Sequence, residues 1–228
     1  MDFKRYAVYV TPEPGPLAEF GAAWLGWDCT TGRSVDHLTV PGLPIPLSEI
    51  TETPRKYGLH ATMKPPFRLA HGQSEATLVT AFETFCSTTA PVTLAGLDLA
   101  CLGRFLALVP EGDETALRCL AAEALQAFEP FRAPLTEAEL AHRRAGGLSP
   151  EHDALLVQWG YPYVMQAFRF HITLSGKLPR AEARRTQAVL APLLEPLLPR
   201  PFAIAALSLM GEDESGRFHL IRRDALCG

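Results

Sequence analysis

The tightest constraint on this chain is a motif that occurs twice. Gly58-Leu59-His60-Ala61-Thr62-Met63-Lys64-Pro65-Pro66-Phe67 has an echo in Arg169-Phe170-His171-Ile172-Thr173-Leu174-Ser175-Gly176, and each copy sets His-x-Thr inside an alternating run. In an extended strand successive side chains point to opposite faces. The first copy therefore turns Leu59, Ala61 and Met63 toward a core and puts His60, Thr62 and Lys64 together on the other face. The second lines up Phe168, Phe170, Ile172 and Leu174 and leaves Arg169, His171, Thr173 and Ser175 opposite them. The same polar pair is presented twice, 111 residues apart (171 − 60), and any fold must keep both copies clear of their apolar rows.

The elements around the motifs repeat as well. Tyr6 to Val10 reads as a strand, Leu17 to Trp27 as a helix with Leu17, Phe20, Trp24 and Trp27 on one stripe, and positions 28 to 57, rich in proline, as an irregular connection. The His60 strand is expected to end at Pro65-Pro66, followed by a helix with Ser74 as its N-cap and by two strand-like runs that break near Gly103. A second round opens with Arg104-Phe105-Leu106-Ala107-Leu108-Val109, which rhymes with Arg5-Tyr6-Ala7-Val8-Tyr9-Val10. It continues with a helix through Leu117 to Phe128, the His171 strand, a leucine-rich helix interrupted by Pro192 and Pro196, and a closing hairpin. The chain thus reads as one two-lobed domain, residues 1–228, made of pseudo-repeats at about 1–103 and 104–228. An insert at about 129–166 carries its own helix starts, Thr136 with Glu139 and Ser149-Pro150, and ends in Trp159-Gly160-Tyr161-Pro162-Tyr163.

Composition narrows the function. At 228 residues and 47% apolar the chain can bury a sizeable core, and a net charge of −4 gives no general basic footprint for long nucleic acid. Local pairs such as Arg55-Lys56 and Arg143-Arg144 read as solvated surface. Five cysteines, odd in number, widely spaced and without a C-x-x-C pair, argue against a disulfide framework or a cysteine zinc site. The apolar run near the start is too short for a signal peptide and no stretch is long enough to span a membrane, so a cytoplasmic monomer without membrane contact is the expectation.

Two His-x-Thr motifs, His60-Ala61-Thr62 and His171-Ile172-Thr173, in a duplicated layout resemble the two-histidine phosphoesterase superfamily of LigT-like RNA ligases and cyclic phosphodiesterases. Arg55-Lys56-Tyr57-Gly58-Leu59-His60, Lys64-Pro65-Pro66-Phe67, Trp159-Gly160-Tyr161-Pro162-Tyr163 and Phe168-Arg169-Phe170-His171 look more narrowly like its phosphonate-operon-associated branch. The resemblance implies an α+β fold, bilobal and duplicated, with two antiparallel sheets around a central groove, helices outside, both motifs on the groove floor, and no metal or cofactor.

The chemistry suits the residue types. Opening a cyclic phosphodiester needs one proton removed and another delivered, and histidine, with an ordinary pKa of about 6.5, supplies both forms near neutral pH. His60 and His171 are the expected acid and base, with Thr62 and Thr173 donating hydrogen bonds to the phosphoryl oxygens. Lys64, Arg169 and Ser175 on the same faces are candidates for phosphate contacts, and Tyr57, Tyr161 and Tyr163 for stacking on a base or sugar. The expected activity is a metal-independent opening of a small nucleoside 2′,3′-cyclic or ribosyl cyclic phosphate, with RNA ends as another partner class. The alternative is a non-catalytic module that binds phosphates or RNA ends in the same groove.

Overall fold

The computed structural model describes residues 2–228. Strand β1 (Arg5–Val10) alternates as its sequence dictates: Tyr6, Val8 and Val10 enter the main core, while Ala7 and Tyr9 pack on the opposite face. Helix α1 (Pro16–Leu25) starts at a proline and buries Leu17, Trp24 and Leu25. The proline-rich connection after it contains a small ribbon, β2 (Trp27–Asp28) with β3 (Arg33–Ser34), and two single-turn helices, α2 (Leu47–Ile50) and α3 (Glu52–Arg55).

The first motif belongs to β4 (Ala61–Phe67), which runs through Pro65-Pro66 instead of stopping there. It lies at the edge of its sheet, where a residue without an N–H breaks no interior ladder. Helix α4 (Glu75–Thr88) is capped by the Ser74 side chain, as its sequence predicts. Then come β5 (Val92–Leu94), β6 (Gly96–Leu102) and β7 (Phe105–Glu111). β6 and β7 form a hairpin closed at Leu102 opposite Phe105, and Gly103 takes φ +67, a left-handed conformation open to glycine without strain.

Helix α5 (Thr115–Ala127) leads into the insert, where α6 (Glu137–Arg144) begins at the Thr136–Glu139 capping box and α7 (Pro150–Trp159) at Ser149. The second motif forms β8 (Ile172–Thr173), only two residues long. Helix α8 (Arg180–Leu194) contains Pro192 and gives way to a 3-10 turn at Glu195–Leu197, so the expected interruption falls only at the second proline. β9 (Phe202–Ile204), β10 (Ala206–Glu212) and β11 (Phe218–Ala225) complete the chain.

All pairings are antiparallel, in an α+β arrangement. One sheet has the order β11-β10-β1-β4, another β6-β7-β8, and β5 pairs with β9. The two larger sheets correspond. In each, the opening strand of one half, β1 or β7, is flanked by its own motif strand, β4 or β8, and by a strand from the other half, β10 or β6. Helices cover the faces away from the motifs: α4 lies against β10 and β11, α5 against β4, and α8 against β6 and β7. One hydrophobic core runs through both sheets and their helices, from Val8 and Ala61 to Leu108 and Ile172. Trp24 Nε1 donates to the Leu174 carbonyl at 2.8 Å, and Gly176 N–H to the Ile50 carbonyl at 2.7 Å, tying the first half to the chain beyond β8. Among the described residues no helix is long and apolar enough to cross a membrane.

Candidate active site

The edge strands β4 and β8 approach each other, and this brings the motifs together: a charge on His171 is felt at His60. Each ring is held in the same way. His60 Nδ1 lies 2.9 Å from the carbonyl of Gly58, and His171 Nδ1 lies 2.8 Å from the carbonyl of Arg169, in each case two residues back. A carbonyl oxygen only accepts, so Nδ1 carries the proton in both rings and Nε2 is left as the nitrogen that exchanges it.

Gly58 is built for this task. It sits at φ +72, and a Cβ there would come within 2.4 Å of Cys29 Sγ, so a side chain would displace the carbonyl that orients His60. His60 also packs against aromatic rings, with centroids 3.9 Å away at Tyr9 and 5.6 Å away at Tyr57. Burial lowers its pKa to about 4, opposed by the Gly58 carbonyl and reinforced by His171. His60 is therefore a neutral imidazole at pH 7. His171 has one aromatic neighbour, Phe105, at 5.8 Å.

Thr62 pairs with Tyr9 and Thr173 with Ala107, and both threonines are part-exposed, two residues beyond their histidines. Tyr57 is half-buried and stacks on Phe218 at 5.1 Å, with the Lys56 ammonium 4.9 Å over its ring. Tyr161 is close enough to Tyr57 to be influenced by it, and burial raises its pKa. Tyr163 lies further out, 51% exposed and edge-on to Tyr161. The Arg169 side chain is exposed, while its carbonyl holds His171.

Two residues expected beside the motifs are elsewhere. Lys64 is 1% exposed on the core side, where its ammonium donates to the Leu125 carbonyl at 3.0 Å and pairs with Glu129. The reason is a bulge: Thr62 lies opposite Tyr9 and Lys64 opposite Val8, so two steps along β4 match one along β1 and Lys64 changes face. Ser175 is also 1% exposed. β8 ends at Thr173, and the Ser175 hydroxyl accepts from Leu106 N–H and donates to the Gly176 carbonyl, each at 2.9 Å. Neither side chain is available to a ligand beside the histidines.

Three groups at the site were not picked out from the sequence. Tyr9 backs His60 directly, and its hydroxyl is buried without a hydrogen-bond partner. Phe105 backs His171. Arg5 shares the face of Ala7 and Tyr9, its guanidinium pairing with Glu212 and influenced by Tyr57 and Tyr9. The signal was alternation in β1 and β7, which are the partners of the motif strands. Among the described residues no group of three histidine, cysteine or acidic side chains is arranged to hold a metal ion.

Fold and site define an α+β protein with two main antiparallel sheets and a carbonyl-held His-x-Thr motif at the edge strand of each. The chain belongs to the family described as "Protein of unknown function (DUF1045)", whose model matches residues 62–219. It is 41% identical over 181 residues to a protein of Janthinobacterium sp. (strain Marseille) named ribose 1,5-bisphosphate phosphokinase PhnN, covering 78% of this chain and 40% of that protein. A protein of the same name from Laribacter hongkongensis (strain HLHK9) is 36% identical over 228 residues, covering 96% of this chain and 51% of the relative. The chain thus spans about half or less of the length of these relatives. Similar solved structures include E. coli LigT in apo form, 18% identical at a TM-score of 0.46, and E. coli LigT complexed with 3'-AMP, 16% identical at a TM-score of 0.43. Each covers 100% of both chains.

Proposed function

We propose that this protein opens a small cyclic phosphodiester by metal-independent acid–base catalysis. The observation that carries the reading is the matched pair of imidazoles, each fixed through Nδ1 to a carbonyl two residues back and each followed by a threonine on its face. His60, held neutral, is the base: its Nε2 takes a proton from water as the water oxygen bonds to phosphorus. The phosphorus bond to one ring oxygen breaks, and His171 in its protonated form delivers a proton to that oxygen. Water is added overall, and the product is a phosphomonoester beside a free hydroxyl. Thr62 and Thr173 donate to the non-bridging oxygens, where charge grows in the transition state.

The relatives' name concerns a sugar carrying two phosphate esters, which favours a ribosyl cyclic phosphate over a nucleoside one. A kinase reading is less well supported by this chain, because the sequence has no G-x-x-x-x-G-K-[ST] loop to cradle a nucleotide's phosphates. A panel of nucleoside 2′,3′-cyclic and ribosyl cyclic phosphates tests the proposal. Turnover that survives chelation and falls about 10²–10⁴-fold in His60→Ala and in His171→Ala, with folding intact, is expected. Absence of turnover across the panel, or a wild-type rate in either variant, would overturn it. Undiminished affinity for a phosphate ligand without turnover would instead favour a binding module.

A further inference from the structure

The two motif histidines are held alike, but the chain leading into them is not. The ladder of β4 begins at Ala61, next to His60, and runs on to Phe67. β8 offers the second motif far less: only Ile172 and Thr173 pair with β7, so the Arg169 carbonyl that holds the His171 ring lies outside the ladder. A ring hung from a free peptide unit turns with it, and another contact has to fix that carbonyl.

Arg118 of α5 is placed to do so. Its Nη1 donates to the Phe168 carbonyl at 3.0 Å, in a part-buried contact one peptide unit before the Arg169 carbonyl. The guanidinium is aimed from its own helix. Leu117 and Leu120 bury the turn of α5 that carries it, and Nη2 donates to Glu114 Oε2, one helical turn back, at 3.1 Å. On the receiving side the side chains of Phe168 and Phe170 are buried, which pins alternate positions of the lead-in to the core. Just upstream, a 3-10 turn at Met165–Ala167 opens with Met165 at φ +52 and closes with Phe168 N–H on the Met165 carbonyl at 3.0 Å. A residue other than glycine keeps that left-handed conformation only where its surroundings over-determine it. The lead-in is therefore clamped by the turn on one side and by β8 on the other, with Arg118 on the peptide between.

We infer that Arg118 is a positioning residue for His171: by holding the Phe168 carbonyl it sets the next peptide unit, whose carbonyl keeps the ring proton on Nδ1 and leaves Nε2 free to exchange. Free neutral histidine prefers its proton on Nε2, so the Nδ1–H form of His171 depends on that carbonyl. The effect of Arg118 on turnover rests on the acid–base reading of His171; its effect on the ring proton does not.

Nitrogen-15 spectra of histidine-labelled protein, recorded well above the ordinary histidine pKa of about 6.5 and assigned with His171→Gln, read that proton directly. Wild type should show His171 as Nδ1–H. Arg118→Ala should move it toward the Nε2–H form, and Arg118→Lys, which can still donate to the Phe168 carbonyl, should restore it. On a cyclic phosphate that wild type opens, Arg118→Ala should lower kcat about tenfold with KM within about twofold, and Arg118→Lys should recover most of the loss. An unchanged tautomer in Arg118→Ala overturns the assignment whatever the protein turns over, as does a rise in KM at unchanged kcat. A shifted tautomer in a protein that opens no cyclic phosphate supports Arg118 and removes the diesterase reading instead. Should Arg118→Ala fail to fold, Arg118→Met, which keeps the apolar stem and removes the donors, is judged by the same two measurements.

Discussion

His60 and His171 carry the same motif yet sit in different surroundings, and in the function proposed above that difference divides their work. His60 is wedged between Tyr9 and Tyr57 with its pKa near 4, so at neutral pH it is ready to accept a proton. Its protonation should therefore quench turnover only as the pH falls toward about 4, well below the inflection of an ordinary histidine at 6.5. Stability must follow. Between pH 6.5 and about 4 the unfolded chain protonates this residue while the folded protein does not, so the stabilisation is present above 6.5 and is lost as the pH falls through that window. Urea midpoints at pH 7 and pH 5 check this: the wild type should lose more than His60→Gln does. An equal loss in both would show that His60 does not titrate in this way.

At the scale of elements, the register of β4 decides which residues of the first motif share a face. The alternation rule placed His60 and Thr62 on one face, but it carried Lys64 along with them, and the bulge opposite Val8 and Tyr9 sends that ammonium to Glu129 instead. Lys64→Ala should thus cost about 2–4 kcal/mol of stability, because Glu129 loses a buried partner and keeps Arg132, with kcat in the folded fraction little changed. Denaturant titration beside single-substrate kinetics checks both halves of that statement; a large fall in kcat at unchanged stability would put Lys64 back at the substrate. What was legible follows the range of the forces involved. Helix starts at Ser74, Thr136 and Ser149 depend on side chains within three residues and are written in the sequence. The bulge, the early end of β8 that turns Ser175 onto the backbone of Leu106, and the approach of Arg143 to Tyr161 depend on register and on packing between distant segments. A one-residue slip or a folded-back insert leaves no local trace, and so the adjacent pair Arg143-Arg144 read as mere surface. Only Arg144 fits that description, pairing with Asp153 in the open.

For the molecule as a whole, a net charge of −4 gives no general attraction for long polyanions. The insert is anchored to the body of the fold. It packs Leu155 and Val164 onto Leu125 of α5, which anchors the arm that delivers Arg143 and Tyr161.

The halves also trade strands. β10 completes the sheet of β1 and β4, and β6 completes that of β7 and β8, so each of these sheets takes strands from both halves of the sequence. Severed between positions 103 and 104, the segments should each stay unstructured and insoluble, yet reassemble into a working protein when produced together, as circular dichroism and turnover of the mixture would register. A chain built this way cannot be halved into two self-sufficient parts: the exchange of strands that sets one imidazole in each half also interlocks them, and the gap between the two rings is held by the weave.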